Sequence, residues 1–294
     1  MTRWLVTGAG GMLGTDLVDA LSARGNPVTG LGRAELDVTD AAAVTDAIAA
    51  AGPDVVVNCA AWTAVDDAEA AEDEALVVNG RGAANVAAAC ARTGARLVQV
   101  STDYVFAGDA GHPYAEDDVP APRTAYGRTK LAGERAVLSA LPGAAYVVRT
   151  AWLYGAHGPS FVRTMIKLED QRPAVDVVVD QHGQPTWTAD VARQIIALVY
   201  AGAAPGIYHA TSGGHTTWFG LAREIFGLLD ADQARVRPVP ATAMPRPAPR
   251  PPYSVLGHRG WAATGIPPIG DWRTALHRAF PDVLAAQRDA AAAT

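Results

Sequence analysis

The chain has 294 residues, of which 49% are hydrophobic and 18% charged, and its formal net charge is −6. This composition indicates a globular protein and excludes a largely disordered one. The negative charge, with no run of basic residues, argues against nucleic acid as a main partner.

Targeting signals and metal-binding patterns are missing from the sequence. No apolar run approaches the roughly 20 residues of a membrane span, and the N-terminus leads into a predicted strand instead of a signal peptide. We therefore expect a cytoplasmic protein without a membrane partner. Cys59 and Cys90 show no metal-binding spacing and are expected to be buried thiols. The seven histidines show no paired spacing either, so we expect no metal site.

A glycine-rich turn opens the chain. In VTGAGGMLGT, Gly8, Gly11 and Gly14 recur at every third position, after a predicted strand at 4–7 and before a predicted helix at 12–24. Gly8 permits a tight turn, Gly11 allows the backbone to approach a pyrophosphate, and Gly14 allows the helix to pack on the strand. The helix N-terminus attracts the anion. A chain this rich in glycine can show the spacing by chance. The flanking strand and helix therefore carry the interpretation, and they favour a dinucleotide-binding turn.

Strand and helix patterns then alternate along the first half of the chain. The predicted strands are 27–31, 55–57, 96–101 and 146–148, and the predicted helices are 40–51, 73–92 and 125–140. This repeated β-α-β order predicts an α/β protein with a Rossmann-type, doubly wound parallel sheet. Functional residues are then expected at the carboxyl ends of the strands.

The pattern loosens after residue 150. We predict strands at 174–179 and 206–210 and helices at 188–200, 218–229 and 271–280. The proline-rich segment 238–252 cannot be helical, and it is either a surface linker or a loop shaped over a substrate. The tail from 285 is expected to fray. We expect 1–150 to be the dinucleotide-binding domain, with later segments returning to it, and 151–294 to form mainly a smaller C-terminal α/β substrate-binding domain.

Candidate catalytic residues lie beside the fourth strand. YGRTK places Tyr126 and Lys130 four residues apart, on one face of the helix 125–140. A nearby ammonium lowers the pKa of a phenol from its usual value of about 10, so Tyr126 is expected to protonate an oxygen while hydride reaches the adjoining carbon. Lys130 is also expected to bind the cofactor ribose. Thr102 follows the strand 96–101, where a hydroxyl can bind a substrate carbonyl.

This order of motifs resembles the extended short-chain dehydrogenase/reductases, and nearly the whole chain resembles the dTDP-4-dehydrorhamnose reductase family. The resemblance rests on GAGGMLG (8–14), ELDVTD (35–40), NCAAWTAVDDAE (58–69), VNGRGAANVA (78–87), STDYVF (101–106), YGRTKLAGE (126–134), RTAWLYG (149–155), DQHGQPT (180–186) and RPPYSVL (250–256). It implies NAD(P)H-dependent reduction of the 4-keto group of a dTDP-4-dehydro-6-deoxyhexose, with dTDP-4-dehydrorhamnose as the default substrate and dTDP-L-rhamnose as its product.

The resemblance also implies roles for individual residues. Catalysis would fall to Thr102, Tyr126 and Lys130. Cofactor contacts would come from Gly8, Gly11, Met12, Leu13, Gly14, Asp37, Val38, Ala60, Ala61, Trp62, Tyr126 and Lys130. Substrate contacts would come from Thr102, Asp103, Tyr126, Trp152, Arg250 and Ser254, the last two toward the nucleotide. Trp62 departs from the smaller or polar residues expected at its position. The family also makes a homodimer plausible.

The turn after the second strand bears on cofactor choice. NAD-preferring folds place an acid there to bind the ribose 2′-hydroxyl. The stretch VTGLGRAELD has Gly32 and then Arg33 at that point. Arg33 can pair with a 2′-phosphate, which predicts a preference for NADPH over NADH. The alternative is a solvated Arg33 and use of both cofactors.

The residue after Asp103 bears on whether the chain could be a dehydratase. Asp103 is followed by Tyr104, whereas sugar-nucleotide 4,6-dehydratases have Asp-Glu there, and elimination needs both an acid and a base. A dehydratase is therefore disfavoured. Two alternatives stay open: a sibling reductase for another dTDP-4-keto-6-deoxysugar of a specialised pathway, and a non-catalytic NADP-binding regulatory subunit like that of methionine adenosyltransferase.

Overall fold

A computed structural model describes residues 1–292. The strands are β1 (Trp4–Thr7), β2 (Val28–Leu31), β3 (Val55–Asn58), β4 (Arg96–Thr102), β5 (Ala145–Thr150), β6 (Leu153–Tyr154), β7 (Val175–Val178), β8 (His182–Gly183), β9 (Thr186–Trp187), β10 (Gly206–His209), β11 (Thr216–Thr217) and β12 (Val236–Val239). The helices are α1 (Met12–Ala23), α2 (Ala41–Ala51), α3 (Val65–Ala68), α4 (Glu72–Leu76), α5 (Ala83–Thr93), α6 (Ala125–Ala140), α7 (Phe161–Gln171), α8 (Thr188–Tyr200), α9 (Trp218–Leu228) and α10 (Trp272–Ala292). None of these helices is long and apolar enough to cross a membrane.

Six strands form the central sheet, in the order β10-β5-β4-β3-β1-β2, and every pairing is parallel. The predicted Rossmann-type α/β fold is confirmed. From β1 the chain moves outward to β2 and then returns to β3 on the other side. The point where the strand order reverses therefore lies between β1 and β3, and a ligand is expected at the carboxyl ends of the strands there.

Both faces of the sheet are buried, which explains its almost continuous apolar strands. Side chains alternate along each strand, so Trp4 and Val6 face a core built with helices α1 and α8, whereas Leu5 faces helices α2, α5 and α6. A third apolar cluster joins α7, α9 and α10 to β7 and β12. All residues of that cluster come from the carboxyl half of the chain, which also supplies β10 to the central sheet.

Several elements differ from the sequence-based predictions: the short elements β6, β8, β9, β11, β12 and α3 were not predicted, and three further differences concern longer helices. The helix predicted at 73–92 is interrupted by a π-helical segment, Val77–Gly82, between α4 and α5. Helix α7 was not predicted, although Ser160 caps its N-terminus and its buried residues have helical spacing. Helix α10 extends well past 280, so the tail from 285 to 292 is helical and does not fray. Arg163 holds that tail by donating to Gln287 Oε1 at 2.9 Å and Ala286 O at 3.0 Å, and its alanines favour helix. Residues 293 and 294 lie outside the described residues.

Gly133 allows helix α6 to approach the π-helical segment, and its replacement tests this contact. The Cβ of an alanine there would lie within 3.0 Å of Asn79 O and 3.3 Å from the Ala83 Cβ. We expect Gly133→Ala to lower the free energy of unfolding by about 1–3 kcal/mol, because a backbone oxygen cannot move aside easily. Denaturant titration measures this value. Gly143→Ala is the matched control, since no atom lies within 4 Å of its added Cβ. Equal stability of the two variants would contradict the prediction.

Candidate active site

The glycine-rich turn lies at the reversal point of the sheet. Gly8 has a φ of +65°, and a Cβ there would lie 2.6 Å from Ala60 N. A Cβ at Gly14 would lie within 3.0 Å of Gly8 O. Gly11 is the N-cap of α1 and has no side chain to bind the first N–H groups of that helix. These N–H groups therefore face an open cradle that suits an anionic group such as a pyrophosphate.

The neighbouring residues Met12 and Leu13 begin helix α1. Leu13 is buried in the core, so only its backbone can reach a ligand in the turn. Met12 is half-buried and lies near Gly155, the last residue of RTAWLYG. Both residues thus lie beside the glycine cradle, and their predicted contacts with a cofactor stay predictions.

A buried hydrogen-bonded row joins the carboxyl ends of β1 and β3 to the middle of β4. Thr7 Oγ1 donates to Asn58 Oδ1 at 2.6 Å, and Asn58 Nδ2 donates to Gln99 Oε1 at 2.7 Å. Each of these groups has a partner, so the row fixes the strand ends firmly in a poorly hydrated setting. The loop that holds Ala60 and Ala61 continues directly from this row.

Asn79 fixes the next part of that loop. It accepts from Trp62 N at 2.9 Å and donates to Trp62 O at 3.2 Å and Thr129 Oγ1 at 3.0 Å. Trp62 and Tyr126, both partly buried, pack against the same cluster of buried alanines. Asn79 belongs to the π-helical segment, a kind of irregularity that is frequent at functional sites. Sequence reasoning missed it because a π-helical turn has no local signature.

Thr102, Tyr126 and Lys130 meet at the end of β4. Thr102 ends that strand, and Tyr126 lies in the first turn of α6, which Thr124 caps by accepting from Gly127 N at 3.0 Å. The Thr102 hydroxyl lies beside the Tyr126 phenol. Lys130 is 4% exposed and donates from Nζ to Val100 O at 2.7 Å. The three predicted catalytic residues are therefore adjacent.

The expected lowering of the Tyr126 pKa is wrong for this structure. Removal from water raises the pKa of Tyr126 above its ordinary value, because the phenolate loses hydration, and the Thr102 hydroxyl only limits the rise. Burial also lowers the pKa of Lys130 to about 8. Its ammonium is bound to Val100 O instead of stabilising a phenolate. Tyr126 therefore carries its proton at neutral pH, as a proton donor must.

Asp103 and Ser254 lie together next to Thr102. Asp103 is 3% exposed, and its Oδ1 accepts from Thr102 Oγ1 at 2.9 Å. Burial raises the pKa of Asp103 to about 6, and the Ser254 and Thr102 hydroxyls limit the rise. Ser254 is itself 2% exposed. The C-terminal RPPYSVL stretch thus reaches the end of β4.

Arg250, from the same stretch, forms a two-pronged ion pair with Asp66 of α3. Nη1 donates to Asp66 Oδ1 at 2.9 Å and Nη2 to Oδ2 at 2.8 Å, while Ala248 N donates to Oδ1 at 3.2 Å. Arg250, with the neighbouring prolines, lines a small cleft that also contains Tyr104 and Thr124. The proline-rich segment is therefore bound to α3 beside the site and is not a free surface linker.

Gln184 holds the segment 252–256 in place and was missed as a functional residue. Its Oε1 accepts from Leu256 N at 2.7 Å and Thr211 Oγ1 at 2.9 Å. Its Nε2 donates to Ser212 O at 2.9 Å and Leu256 O at 3.1 Å. All its hydrogen-bonding capacity is used, which makes it a rigid buried clamp. The only sequence signal was its position within DQHGQPT.

Trp152 is held between two neighbours. It has a φ of +46°, which is rare for a bulky residue. Its indole stacks on Trp218 with ring centroids 3.5 Å apart. On the other side, a Cβ at Gly183 would lie within 3.0 Å of the Trp152 ring. The strained backbone is thus maintained by packing on both sides, which fixes the direction of this indole.

The turn after β2 contains the remaining predicted cofactor residues. Arg33 is exposed, and Val38 is buried beside Gly82. Asp37 Oδ1 accepts from Thr39 N at 2.9 Å and Thr39 Oγ1 at 2.8 Å. Glu35, three residues after Gly32, folds back toward the end of β2, and its Oε2 accepts from Gly32 N at 2.8 Å. Among residues 1–292, no cluster of three or more His, Cys, Asp or Glu side chains could hold a metal ion.

Comparison with known proteins agrees with this architecture. Residues 2–285 match the model of the RmlD substrate binding domain. A dTDP-4-dehydrorhamnose reductase of Streptomyces griseus is 59% identical, over 95% of this chain and 93% of its own length. A dTDP-4-keto-6-deoxy-D-glucose reductase of Streptomyces niveus is 54% identical, over 95% and 96%. The crystal structure of a Bacillus anthracis dTDP-4-dehydrorhamnose reductase in complex with NADP superposes with a TM-score of 0.91, at 37% identity over 96% of this chain and 99% of that one. On these grounds the chain belongs to the dTDP-4-dehydrorhamnose reductase family of oxidoreductases.

Proposed function

We propose that the protein reduces the 4-keto group of a dTDP-4-dehydro-6-deoxyhexose with NADPH or NADH, converting dTDP-4-dehydrorhamnose to dTDP-L-rhamnose. The observation that carries the proposal is the meeting of Thr102, Tyr126 and Lys130 at the end of β4, on the same edge of the parallel sheet as the glycine cradle that follows β1. The relatives named above are reductases, and this chain keeps all three of these side chains. Both points favour a reductase over a binding subunit.

The cofactor site fits a nicotinamide dinucleotide. The cradle formed by Gly8, Gly11 and Gly14 would hold the pyrophosphate, and the loop with Ala60 and Ala61 would line the next part of the cofactor. When bound, the reduced cofactor supplies a hydride. Arg33, exposed after β2, is proposed to attract a 2′-phosphate and so to favour NADPH.

Tyr126 supplies the proton. Tyr126 would donate its phenolic proton to the C4 oxygen of the sugar as negative charge develops on that oxygen, which completes the hydroxyl. Lys130, whose ammonium faces the end of β4, is proposed to hydrogen-bond the cofactor ribose and to stabilise the phenolate that remains. The raised pKa of Tyr126 keeps the proton in place until a stronger acceptor, the developing alkoxide, arrives.

Thr102 orients the carbonyl. Its hydroxyl has one proton, which in this structure goes to Asp103 Oδ1. Substrate binding therefore has to exchange that bond for one to the carbonyl oxygen, leaving Asp103 to accept from a sugar hydroxyl. Trp152 would contact the sugar, and Arg250 and Ser254 would face the nucleotide. These roles rest on the placement of the side chains around the end of β4.

Several broader features are also proposed. Residues 1–150 would form the dinucleotide-binding domain and 151–294 mainly the substrate-binding domain, with the α7, α9 and α10 cluster supporting the sugar pocket. A homodimer and a cytoplasmic location fit the family. A sibling reductase is the second candidate function, because the Streptomyces niveus relative is named for a different 4-keto sugar at comparable identity.

The reaction itself is the direct test. Loss of NADPH absorbance is followed with enzymatically prepared dTDP-4-dehydrorhamnose, and the product is identified by mass spectrometry and NMR. We expect rapid oxidation and dTDP-L-rhamnose. No oxidation by a chain that binds NADPH would reject this substrate. A panel of other dTDP-4-keto sugars then separates a sibling reductase from a binding subunit, which turns over none of them.

Tyr126→Phe tests the proton donor. We expect kcat to fall by at least about 100-fold, since general-acid catalysis typically contributes that much or more. NADPH affinity, measured by calorimetry without sugar, should stay unchanged. Tyr200→Phe is the control, because Tyr200 is 50% exposed on the outer end of α8. A Tyr126→Phe enzyme with wild-type kcat would remove Tyr126 from the mechanism.

Asp103→Asn tests the buried carboxyl through pH. The folded-state pKa of about 6 lies above the ordinary 3.8, so the folded chain binds this proton more tightly than the unfolded chain does. The stabilisation that the folded state gains by binding this proton more tightly is lost as pH rises from 3.8 to 6. The free energy of unfolding of Asp103→Asn, relative to wild type, should therefore rise by up to about 3 kcal/mol across that window. Denaturant titration at several pH values measures it, and parallel pH curves would refute the shift.

A further inference from the structure

We propose that Glu35 is a specificity-determining residue for the cofactor, acting in place of the acid that NAD-preferring folds carry directly after the second strand. This inference rests on the proposed use of a nicotinamide dinucleotide. It concerns the adenosine end of the cofactor, which is remote from the sugar and from the proton donor. The carboxylate favours a ribose 2′-hydroxyl, while Arg33 beside it favours a 2′-phosphate.

The geometry places a carboxylate where such an acid would be. Gly32 is the first residue after β2 and has no side chain of its own. A Cβ built on Gly32 would lie 2.8 Å from Glu35 Oε2 and 3.7 Å from Gly10 N. Glu35 therefore fills the space that a side chain at position 32 would take, on the side that faces the glycine-rich turn. In doubly wound folds this is where the adenosine ribose is bound.

One oxygen of the Glu35 carboxylate accepts a hydrogen bond, and the other is available to a ligand. Oε2 accepts from Gly32 N at 2.8 Å, which fixes the orientation of the group. Oε1 has no hydrogen-bond partner in the part of the chain that the structure describes, and Glu35 is exposed. An oriented carboxylate with a free oxygen can accept from the ribose 2′-hydroxyl of NADH. It would repel the 2′-phosphate of NADPH.

The other charged groups of this turn do not duplicate Glu35. The Asp37 carboxylate is bound by Thr39 N and Thr39 Oγ1, and the nearby Arg33 contributes to lowering its pKa. Arg33 is exposed one residue after Gly32 and can reach a phosphate from outside the turn. Arg33 and Glu35 therefore act in opposite directions on the same 2′ position, and their balance sets the ratio of the two affinities.

The test is calorimetric titration of the full chain with NADPH and with NADH, without sugar. Glu35→Gln keeps an oxygen that can accept from Gly32 N but removes the charge. We expect tighter NADPH binding and weaker NADH binding, so that the ratio of Kd for NADH to Kd for NADPH rises about tenfold. Arg33→Ala should move the same ratio in the opposite direction.

Asp46→Asn is the matched control, because it removes one negative charge from an exposed position of α2. If Glu35 only shaped the turn, Glu35→Gln would weaken the binding of NADPH and NADH by the same factor. Kd values that stay unchanged, or that change by the same factor, would overturn the proposal. These affinities do not depend on turnover, so a wild type that binds both cofactors but fails to reduce the sugar rejects only the proposed reaction. A wild type that binds neither cofactor rejects both.

Discussion

The approach of helix α6 to the backbone beside it is the constraint on which the site depends, because this helix carries Tyr126 and Lys130. Two glycines make the approach feasible. A Cβ at Gly127 would lie within 3.0 Å of Tyr104 O, and one at Gly133 within 3.0 Å of Asn79 O. The first contact sets the start of α6 against the end of β4, and the second sets its middle against the π-helical segment. Backbone contacts of this kind leave little freedom to the helix, and so to Tyr126, which directly precedes Gly127, and to Lys130, which lies between the two glycines.

The C-terminal part of the pocket is positioned by polar contacts rather than by close backbone packing. Gln184 clamps Leu256 on both its N–H and its C=O, and His182 adds backbone bonds to Pro252 and Ser254. Arg250 forms its ion pair with the Asp66 carboxylate. Each of these groups is removed from water at least in part, so a missing partner would be costly and the arrangement is specific. The segment 250–256 is thus ordered although it contains no helix or strand.

Much of the sheet could be predicted from the sequence, because strand periodicity and glycine spacing are local signals. Thr102, Tyr126 and Lys130 were also identifiable, since their positions follow from a strand end and one helix turn. Their catalytic roles stay predictions. The pairing of Glu35 with Gly32, of Asn79 with Trp62 and of Arg250 with Asp66 could not be predicted, because each depends on a loop conformation or on a distant part of the chain. The pKa of Tyr126 was misjudged for a related reason: a residue pair shows which charge is near but not how much water is excluded.

The ion pair between Asp66 and Arg250 joins residues 184 positions apart. Its arginine comes from a stretch that also supplies Ser254, whereas the proton donor and the glycine cradle come from the first half of the chain. During synthesis the ribosome therefore releases the glycine cradle and the Tyr126 and Lys130 side chains long before the stretch that contains Arg250 and Ser254. A nascent chain can form the glycine cradle early, but the segment 250–256, which is proposed to face the sugar nucleotide, can join it only near the end of translation.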